Sequence, residues 1–132
     1  MPRSRPDTVF LLERCRAYLG EELIPTLSGY HLFQCRVLAN VLAIVAREIE
    51  LGAALDAAEA GRLSALLDQE GLGQEGLGQD SNLEDLNRVL AEALRRGEIA
   101  LSTPGLLEHL GQSATAALRI NNPGWLEEED RA

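Results

Sequence analysis

The sequence contains no lysine, so all 12 of its basic side chains are arginines, against 21 aspartates and glutamates. Without lysine, the chain lacks the amine of a Schiff-base enzyme and the lysine of a phosphate-binding P-loop. The formal net charge of -9 argues against nucleic acid and against membrane surfaces as partners, because both are anionic and require clustered positive charge.

Aromatic residues and cysteines are also scarce, and no long apolar run is present. Aromatic residues make up 4% of the chain and hydrophobic residues 45%, so leucine and alanine supply most of the apolar mass. No stretch approaches the roughly 18 to 20 uncharged apolar residues of a membrane helix. Cys15 and Cys35 lack the spacing of a metal site. We therefore predict a reduced, cytoplasmic protein without a metal or a cofactor.

Apolar periodicity and helix-capping residues predict an all-α fold, a single-domain bundle of about five helices over residues 1–123. Residues 124–132 follow as an acidic tail that we expect to be solvated and disordered. Asp7 is a candidate N-cap for a first helix that runs to about Ile24, where Pro25 breaks it.

The second predicted helix, from about Tyr30 to Leu51, has the widest apolar face in the chain. At about 100° per residue, its apolar side chains fill an arc wider than half of the circumference. They are Val37, Leu38, Val41, Leu42, Ile44, Val45 and Ile49. We therefore predict a long central helix that is buried against several neighbours and that ends at Gly52.

A third helix and a glycine-rich segment are predicted next. The third helix covers about Ala53 to Asp68. Residues 70–80 then contain a tandem EGLGQ repeat, which we interpret as a mobile loop because glycine makes regular structure costly. A phosphate-binding loop is the less favoured interpretation, since the segment has neither the required motif nor a preceding strand.

Capping signals locate the last two predicted helices. The segment Ser81-Asn82-Leu83-Glu84 has the pattern of a capping box and opens a fourth helix to about Arg96, after which a glycine ends it. Thr103 is the candidate cap of a fifth helix with Pro104 in its first position, and Asn121-Asn122-Pro123 stops that helix.

The second predicted helix also carries a polar stripe. Arg36, Asn40 and Arg47 share one face, and Glu48 lies nearby within the apolar arc. Two guanidinium groups with an amide between them are a candidate binding site for a carboxylate or a phosphate, and Glu48 is a candidate general base if it is buried. The alternative is structural: the arginines face water or bridge to acids of neighbouring helices, and Glu48 pairs with an arginine.

The remaining polar residues give weaker signals. His31 and His109 have no catalytic partner nearby in the sequence, so a structural role is the default interpretation for both. Gly111, Ala114 and Ala117 form a small-residue seam on the fifth predicted helix, which is typical of tight helix packing or of a subunit interface. No nucleophile motif is present, and we predict no catalytic residue.

Four segments together carry a family resemblance. They are Arg36-Val37-Leu38-Ala39-Asn40, Ile44-Val45-Ala46-Arg47-Glu48, Leu83-Glu84-Asp85-Leu86-Asn87 and Ile120-Asn121-Asn122-Pro123. From about Pro6 to Pro123 the chain resembles a family of small, all-helical bacterial proteins of unknown function. Genes of that family tend to stand beside acyl-CoA dehydrogenases and aminoglycoside-phosphotransferase-like kinases. The resemblance thus implies an accessory role in acyl-CoA or carboxylic-acid metabolism, and it identifies no catalytic residue.

Two functional hypotheses follow. The first is a non-enzymatic accessory or protein-interaction protein that forms a homo-oligomer, such as a homodimer, and binds a kinase or an acyl-CoA dehydrogenase. It depends on an apolar core without an assembled catalytic constellation. The alternative is a small-molecule binder or enzyme that acts on an anionic substrate, with CoA-linked acids as one candidate class, through Arg36, Asn40 and Arg47, with Glu48 nearby.

Overall fold

The computed structural model describes residues 7–72 and 82–131, and these residues form an all-α fold without a strand. The α-helices are α1 (Thr8–Tyr18), α2 (Gly29–Gln69), α3 (Leu83–Arg96) and α4 (Leu106–Asn121). A π-helical turn, Leu19–Leu23, and a 3-10 turn, Ile24–Thr26, extend α1 up to the predicted break. The all-α class and the long second helix are confirmed. Within the described ranges, no helix has both the length and the apolarity to cross a membrane.

The described part of the chain has four α-helices where about five were predicted, because Gly52 does not end the second helix. Helix α2 continues through this glycine for 41 residues and joins the second and third predicted helices. A helical glycine costs only about 1 kcal/mol relative to alanine, and the following Ala53 and Ala54 favour the helix. The predicted stop at Gly52 was therefore wrong: a glycine ends a helix only when the chain takes the left-handed conformation there.

Side-chain caps begin two of the helices. The Asp7 carboxylate accepts a hydrogen bond from the Phe10 N–H at 2.8 Å, which confirms the predicted N-cap of α1. The cap of α3 is Asn82, whose Oδ1 accepts from the Asp85 N–H at 2.9 Å. Ser81, the cap that the capping-box pattern suggested, lies outside the described residues, as does most of the glycine-rich segment 70–80.

The start of α4 differs from the prediction. Thr103 and Pro104 precede the helix, because Gly105 adopts a left-handed φ of +87° that interrupts the α-helical conformation before Leu106. The Thr103 hydroxyl accepts a hydrogen bond from the Ala100 N–H at 3.1 Å and so closes the turn before the helix. The predicted end of this helix, at Asn121, is confirmed.

The described chain divides into two compact units. The second unit, residues 54–118, contains the larger cluster of buried apolar side chains, from the C-terminal part of α2, from α3, and from α4 and the turn before it. Its members are Leu63, Leu66, Leu67, Leu86, Leu90, Ala93, Ile99 and Leu106. These leucines recur at helical spacing on each helix, so their burial follows directly from the sequence pattern.

The first unit comprises residues 1–53 and 119–132. Here α2 buries its small residues Ala43 and Ala46. The wide apolar arc of the same helix, predicted to be buried, is largely exposed, with Val41 45% and Ile49 49% accessible. Alanine side chains allow a neighbouring backbone to approach the helix more closely than branched side chains do. This accounts for the burial of the alanine face of α2 in place of its apolar arc.

The acidic C-terminal segment belongs to the first unit. It forms two 3-10 turns, Pro123–Trp125 and Glu128–Asp130, with Leu126 buried between them. Arg131 Nε donates to the Leu126 carbonyl at 2.9 Å, and Arg119 Nε donates to a carbonyl of the second turn at 2.8 Å. The disorder of residues 124–132 in solution stays a prediction.

Two glycines of the second unit should respond in opposite directions to alanine substitution. Gly97 ends α3 with a left-handed φ of 77°, so Gly97→Ala should lower the free energy of unfolding by about 1–2 kcal/mol. Gly61 lies within α2 with open space at its Cβ position, so Gly61→Ala should raise it by up to about 1 kcal/mol. Urea unfolding of both variants measures these changes, and shifts of the same sign would contradict the assigned backbone conformations.

Candidate functional site

The residues of the predicted polar stripe differ in their exposure and in their hydrogen bonds. Arg36 and Asn40 are exposed, whereas Arg47 is half-buried and donates its Nε–H to the carbonyl oxygen of Ile120 at 2.7 Å. Ile120 belongs to the last turn of α4, where the backbone carbonyls have no partner within the helix. Arg47 therefore caps α4 with a charged hydrogen bond, which the negative end of the helix dipole also favours.

Glu48, the fourth residue of the predicted site, is exposed on α2. It lacks the burial on which the general-base interpretation depended. The two cavities described below are lined by other residues. A ligand-binding role of Arg36, Asn40, Arg47 and Glu48 stays a prediction.

The most extended feature of the first unit is an exposed apolar face on the N-terminal half of α2. We call it the α2 stripe. Its side chains are between 37% and 70% accessible. They are Tyr30, Phe33, Val37, Leu38, Val41, Val45 and Ile49. At helical spacing, these residues fall within an arc of about 160° and follow the helix for about five turns.

Two polar side chains interrupt the α2 stripe well inside its arc, and a third, His31, lies at the edge of the arc, at the projected angle of Ile49. Gln34 and Glu48 are both exposed, and at about 100° per residue both fall inside the arc. Each lies seven residues from Val41, one on either side. Apart from His31 at its edge, the stripe is therefore an apolar surface with one hydrogen-bonding group on each side of its centre.

Helix α4 likewise presents apolar groups to solvent. Leu107 is 63% accessible, and the seam of Gly111, Ala114 and Ala117 is exposed as well. Tight helix packing, one of the two interpretations of this seam, is therefore wrong within the described residues. The buried side chains of α4 are Leu106 and His109, so the helix packs in a register that the leucine pattern alone did not indicate.

Polar groups of the second unit converge on a cavity of about 310 Å³, which we call the His109 cavity. It lies between α2 and the N-terminal part of α4. Its lining residues are Arg62, Ala65, Leu66, Gln69, Pro104, Gly105, Glu108, His109 and Gln112. The cavity thus combines an apolar floor with one cationic and several hydrogen-bonding side chains.

Two buried polar atoms of the His109 cavity have no hydrogen-bond partner in the described structure: Arg62 Nε and His109 Nδ1. His109 is only 4% accessible. Arg62 makes a long side-chain hydrogen bond, from Nη2 to the Ser113 hydroxyl at 3.5 Å. Buried polar groups are satisfied in the great majority of cases, so two such atoms at one cavity indicate an incomplete site.

Burial lowers the pKa of His109 below its ordinary value of about 6.5, because the charged imidazolium loses its hydration there. The positive charge of Arg62 lowers this pKa further, and the carboxylate of Glu59 opposes the shift by attracting the protonated form. His109 is therefore neutral at pH 7, with one ring nitrogen available as a donor and the other as an acceptor.

The sequence pattern predicts a structural role for His109 and does not connect this residue to Arg62. The two residues are 47 positions apart on different helices, and no motif links them. The spacing of residues along α4 is the one sequence signal that His109 lies near a buried position. His109 lies three residues after Leu106 and four before Ser113, on one face of a helix. Only the packing of α4 against α2 shows that this face is buried.

A second cavity, of about 440 Å³, lies along α3. Its polar lining consists of Arg88, Glu92, Arg96 and Glu98. The pKa of Glu92 is lowered by a hydrogen bond from Arg95 at 2.6 Å and by the charges of Arg95 and Arg96. These exposed charges already neutralise one another, so this cavity is a weaker candidate than the His109 cavity. No group of three metal-ligating side chains occurs in the part of the chain that the structure describes.

Truncation of the two arginines of the predicted stripe should change the free energy of unfolding by clearly different amounts. Arg47→Ala removes the hydrogen bond to the Ile120 carbonyl and should lower the free energy of unfolding by about 1–3 kcal/mol. Arg36→Ala, at an exposed position of the same helix, should change it by no more than about 0.5 kcal/mol. Chemical denaturation followed by circular dichroism measures both, and equal losses would contradict the capping role.

Acidification should destabilise the fold through His109. Because its pKa is lowered in the folded state, its contribution to stability is full above about pH 6.5 and is lost as the pH falls through the lowered value. Urea unfolding at about pH 7.5 and about pH 5.5 measures this loss. The loss should persist in His31→Gln, which changes an exposed histidine, and shrink in His109→Gln. An unchanged loss in His109→Gln would assign the pH dependence to other groups.

Comparisons with known proteins assign a family and nothing finer. Neither a search of curated proteins nor a search of solved structures gives a match. A family model described as "Domain of unknown function (DUF6285)" matches residues 25–125, which include the α2 stripe and the His109 cavity. The match covers more than half of the chain, and the protein therefore belongs to the DUF6285 family of domains of unknown function.

Proposed function

We propose that the protein is a non-enzymatic interaction domain that forms a homodimer through the α2 stripe. The observation that carries this proposal is the exposure of seven large apolar side chains along one face of a single helix. Contiguous apolar patches of this kind mark interaction surfaces, because leaving them in water forgoes the hydrophobic stabilisation that burial provides. The occupant we assign to the stripe is a second copy of the same chain.

The extent of the stripe supports a stable interface. Aromatic side chains each bury about 150–250 Å² and aliphatic ones somewhat less, so the exposed fractions correspond to an area on the order of 700 Å². The largest apolar patch of an ordinary monomer is about 300–600 Å². One partner of a standard interface buries about 800 Å². The area of the stripe therefore exceeds the range for an ordinary monomer and is close to the area that one partner of a standard interface buries.

The distribution of polar groups within the stripe favours a second copy over an unrelated partner. A two-fold axis through Val41 pairs α2 with its symmetry mate in an antiparallel direction. Gln34 and Glu48 both lie seven residues from Val41, about 10 Å along the helix. The Gln34 amide of one copy then faces the Glu48 carboxylate of the other. Both polar groups inside the apolar face thereby gain a hydrogen-bond partner, twice per dimer.

The accessory role implied by the family resemblance is the finer part of the proposal. In this view the dimer acts in the cytoplasm beside enzymes of acyl-CoA or carboxylic-acid metabolism and binds an acyl-CoA dehydrogenase or an aminoglycoside-phosphotransferase-like kinase. Support comes from the resemblance alone. Co-purification of either enzyme type with the wild-type chain, but not with a variant of its surface, tests this part separately from dimer formation.

The alternative function is a binder of an anionic, CoA-linked molecule through Arg36, Asn40, Arg47 and Glu48. Its support is the chemistry of two guanidinium groups on one helix. The bond of Arg47 to Ile120 competes with it, since that Nε–H is already used. A thermal-shift measurement with acyl-CoAs tests it, because a ligand that binds only the folded state raises the melting temperature.

Substitution at the centre of the α2 stripe should abolish the dimer. Light scattering coupled to size-exclusion chromatography should give twice the 14.3 kDa chain mass for the wild type and the single mass for Val41→Glu, since a carboxylate at the two-fold axis meets its own copy. Leu101→Glu, a matched change at an exposed leucine of the second unit, should leave the dimer intact. A monomeric wild type up to its solubility limit would refute the proposal.

The register of the dimer can be tested at Gln34. Gln34→Arg should tighten the dimer by facing Glu48 of the second copy with a positive charge, and Gln34→Glu should weaken it by like-charge repulsion. Sedimentation equilibrium gives the dimer dissociation constants. Gln34 is exposed in the monomer, so neither change should alter the circular dichroism of the monomer. Dissociation constants that do not separate in these directions would contradict the antiparallel pairing.

A further inference from the structure

We propose that the His109 cavity is a binding site for a small monocarboxylate with a short apolar chain. This inference goes beyond the proposed homodimer and does not depend on it, because every residue that it uses belongs to the second unit. It rests on the cavity between α2 and α4, on two orphaned buried polar atoms, and on the apolar side chains beside them.

The orphaned atoms define the head group of the ligand. Arg62 Nε carries a hydrogen and can only donate. A neutral His109 with its proton on Nδ1 donates as well. Leaving such groups buried without a partner costs about 1–3 kcal/mol each, which a bound acceptor recovers. A carboxylate offers two acceptor oxygens, one for each donor, and its charge is complementary to the guanidinium.

The rest of the lining defines the body of the ligand. Ala65, Leu66, Pro104 and Gly105 present apolar surface to the cavity. At about 30 Å³ per heavy atom, a volume of about 310 Å³ holds a molecule of about ten non-hydrogen atoms. Gly105 contributes space, since a Cβ there would lie 3.8 Å from Leu66 Cδ1 and would narrow the floor.

The charges around the cavity limit the ligand to a single negative charge. Arg62 is the cation among the lining residues, while Glu108 lines the same cavity and Glu59 acts on His109 from α2. Glu108 accepts a hydrogen bond from the Gln112 amide at 3.4 Å, which holds its charge at the surface. Two carboxylates disfavour a doubly charged phosphate, whereas a monocarboxylate matches the one guanidinium.

The direct test is a titration of the intact protein with butyrate, followed by the proton and carbon NMR signals of the two histidines. Butyrate should shift the His109 signals saturably, with a dissociation constant in the millimolar range or tighter. It should also raise the pKa of His109, since a bound anion favours the imidazolium. His31, which is exposed and lies in the first unit, is the internal reference and should not respond.

Matched ligands separate the carboxylate from other acceptors. Butyramide has the same apolar chain and no charge, and it should bind at least tenfold more weakly than butyrate. Inorganic phosphate should bind more weakly than butyrate as well. Equal binding of butyramide would overturn the carboxylate assignment, and tighter binding of phosphate would overturn it in favour of a general anion site.

Protein variants complete the test. Arg62→Gln should weaken butyrate binding at least tenfold because it removes the charge. Ala65→Leu fills the cavity from an exposed position of α2, so it should fold and lose binding, whereas Ala57→Leu, an exposed alanine of the same helix away from the cavity, should retain it. Absence of a saturable His109 shift in the wild type, or unchanged affinity in Ala65→Leu, would refute the site.

Discussion

The structure depends on one unbroken helix. Helix α2 runs from Gly29 to Gln69 and supplies residues to both compact units. Its packing face therefore has to change along its length. In the first unit the helix buries small residues such as Ala43, and in the second it buries leucines such as Leu63. The large apolar side chains on the N-terminal half of α2 thereby remain uncovered, which is the origin of the α2 stripe.

Two arginines of α2 differ in whether their Nε–H groups meet an acceptor among the described residues. Arg47 meets the carbonyl of Ile120 at the end of α4, an acceptor that the helix itself leaves unpaired. Among residues 7–72 and 82–131, the side chain of Arg62 donates to the Ser113 hydroxyl, at 3.5 Å, and its buried Nε has no acceptor. A satisfied arginine stabilises the fold, whereas an unsatisfied one at a cavity carries a free energy that a ligand can recover.

The chain belongs to a family of unknown function, so its function has to be inferred from the physical features of its structure. The α2 stripe and the His109 cavity lie in different units and involve different forces. The stripe would act through hydrophobic burial over a large area, and the cavity through a few hydrogen bonds and one charge. An interaction domain that also holds a small carboxylate would suit an accessory protein, since a ligand in the second unit need not disturb a dimer formed by the first.

The sequence alone determined the helical class, the N-cap at Asp7, the end of α4 at Asn121 and the leucine core of the second unit, because local periodicity and end chemistry specify them. It wrongly predicted that the second helix ends at Gly52, since the effect of a glycine on a helix depends on the backbone conformation that packing imposes. It also predicted burial for the apolar arc around Val41, which the structure leaves exposed. Hydrophobicity alone does not tell whether a face is covered by the protein's own chain or by another. Only the tertiary structure determined that Arg62 and His109 line the same cavity, because it brings together residues that no local sequence pattern connects.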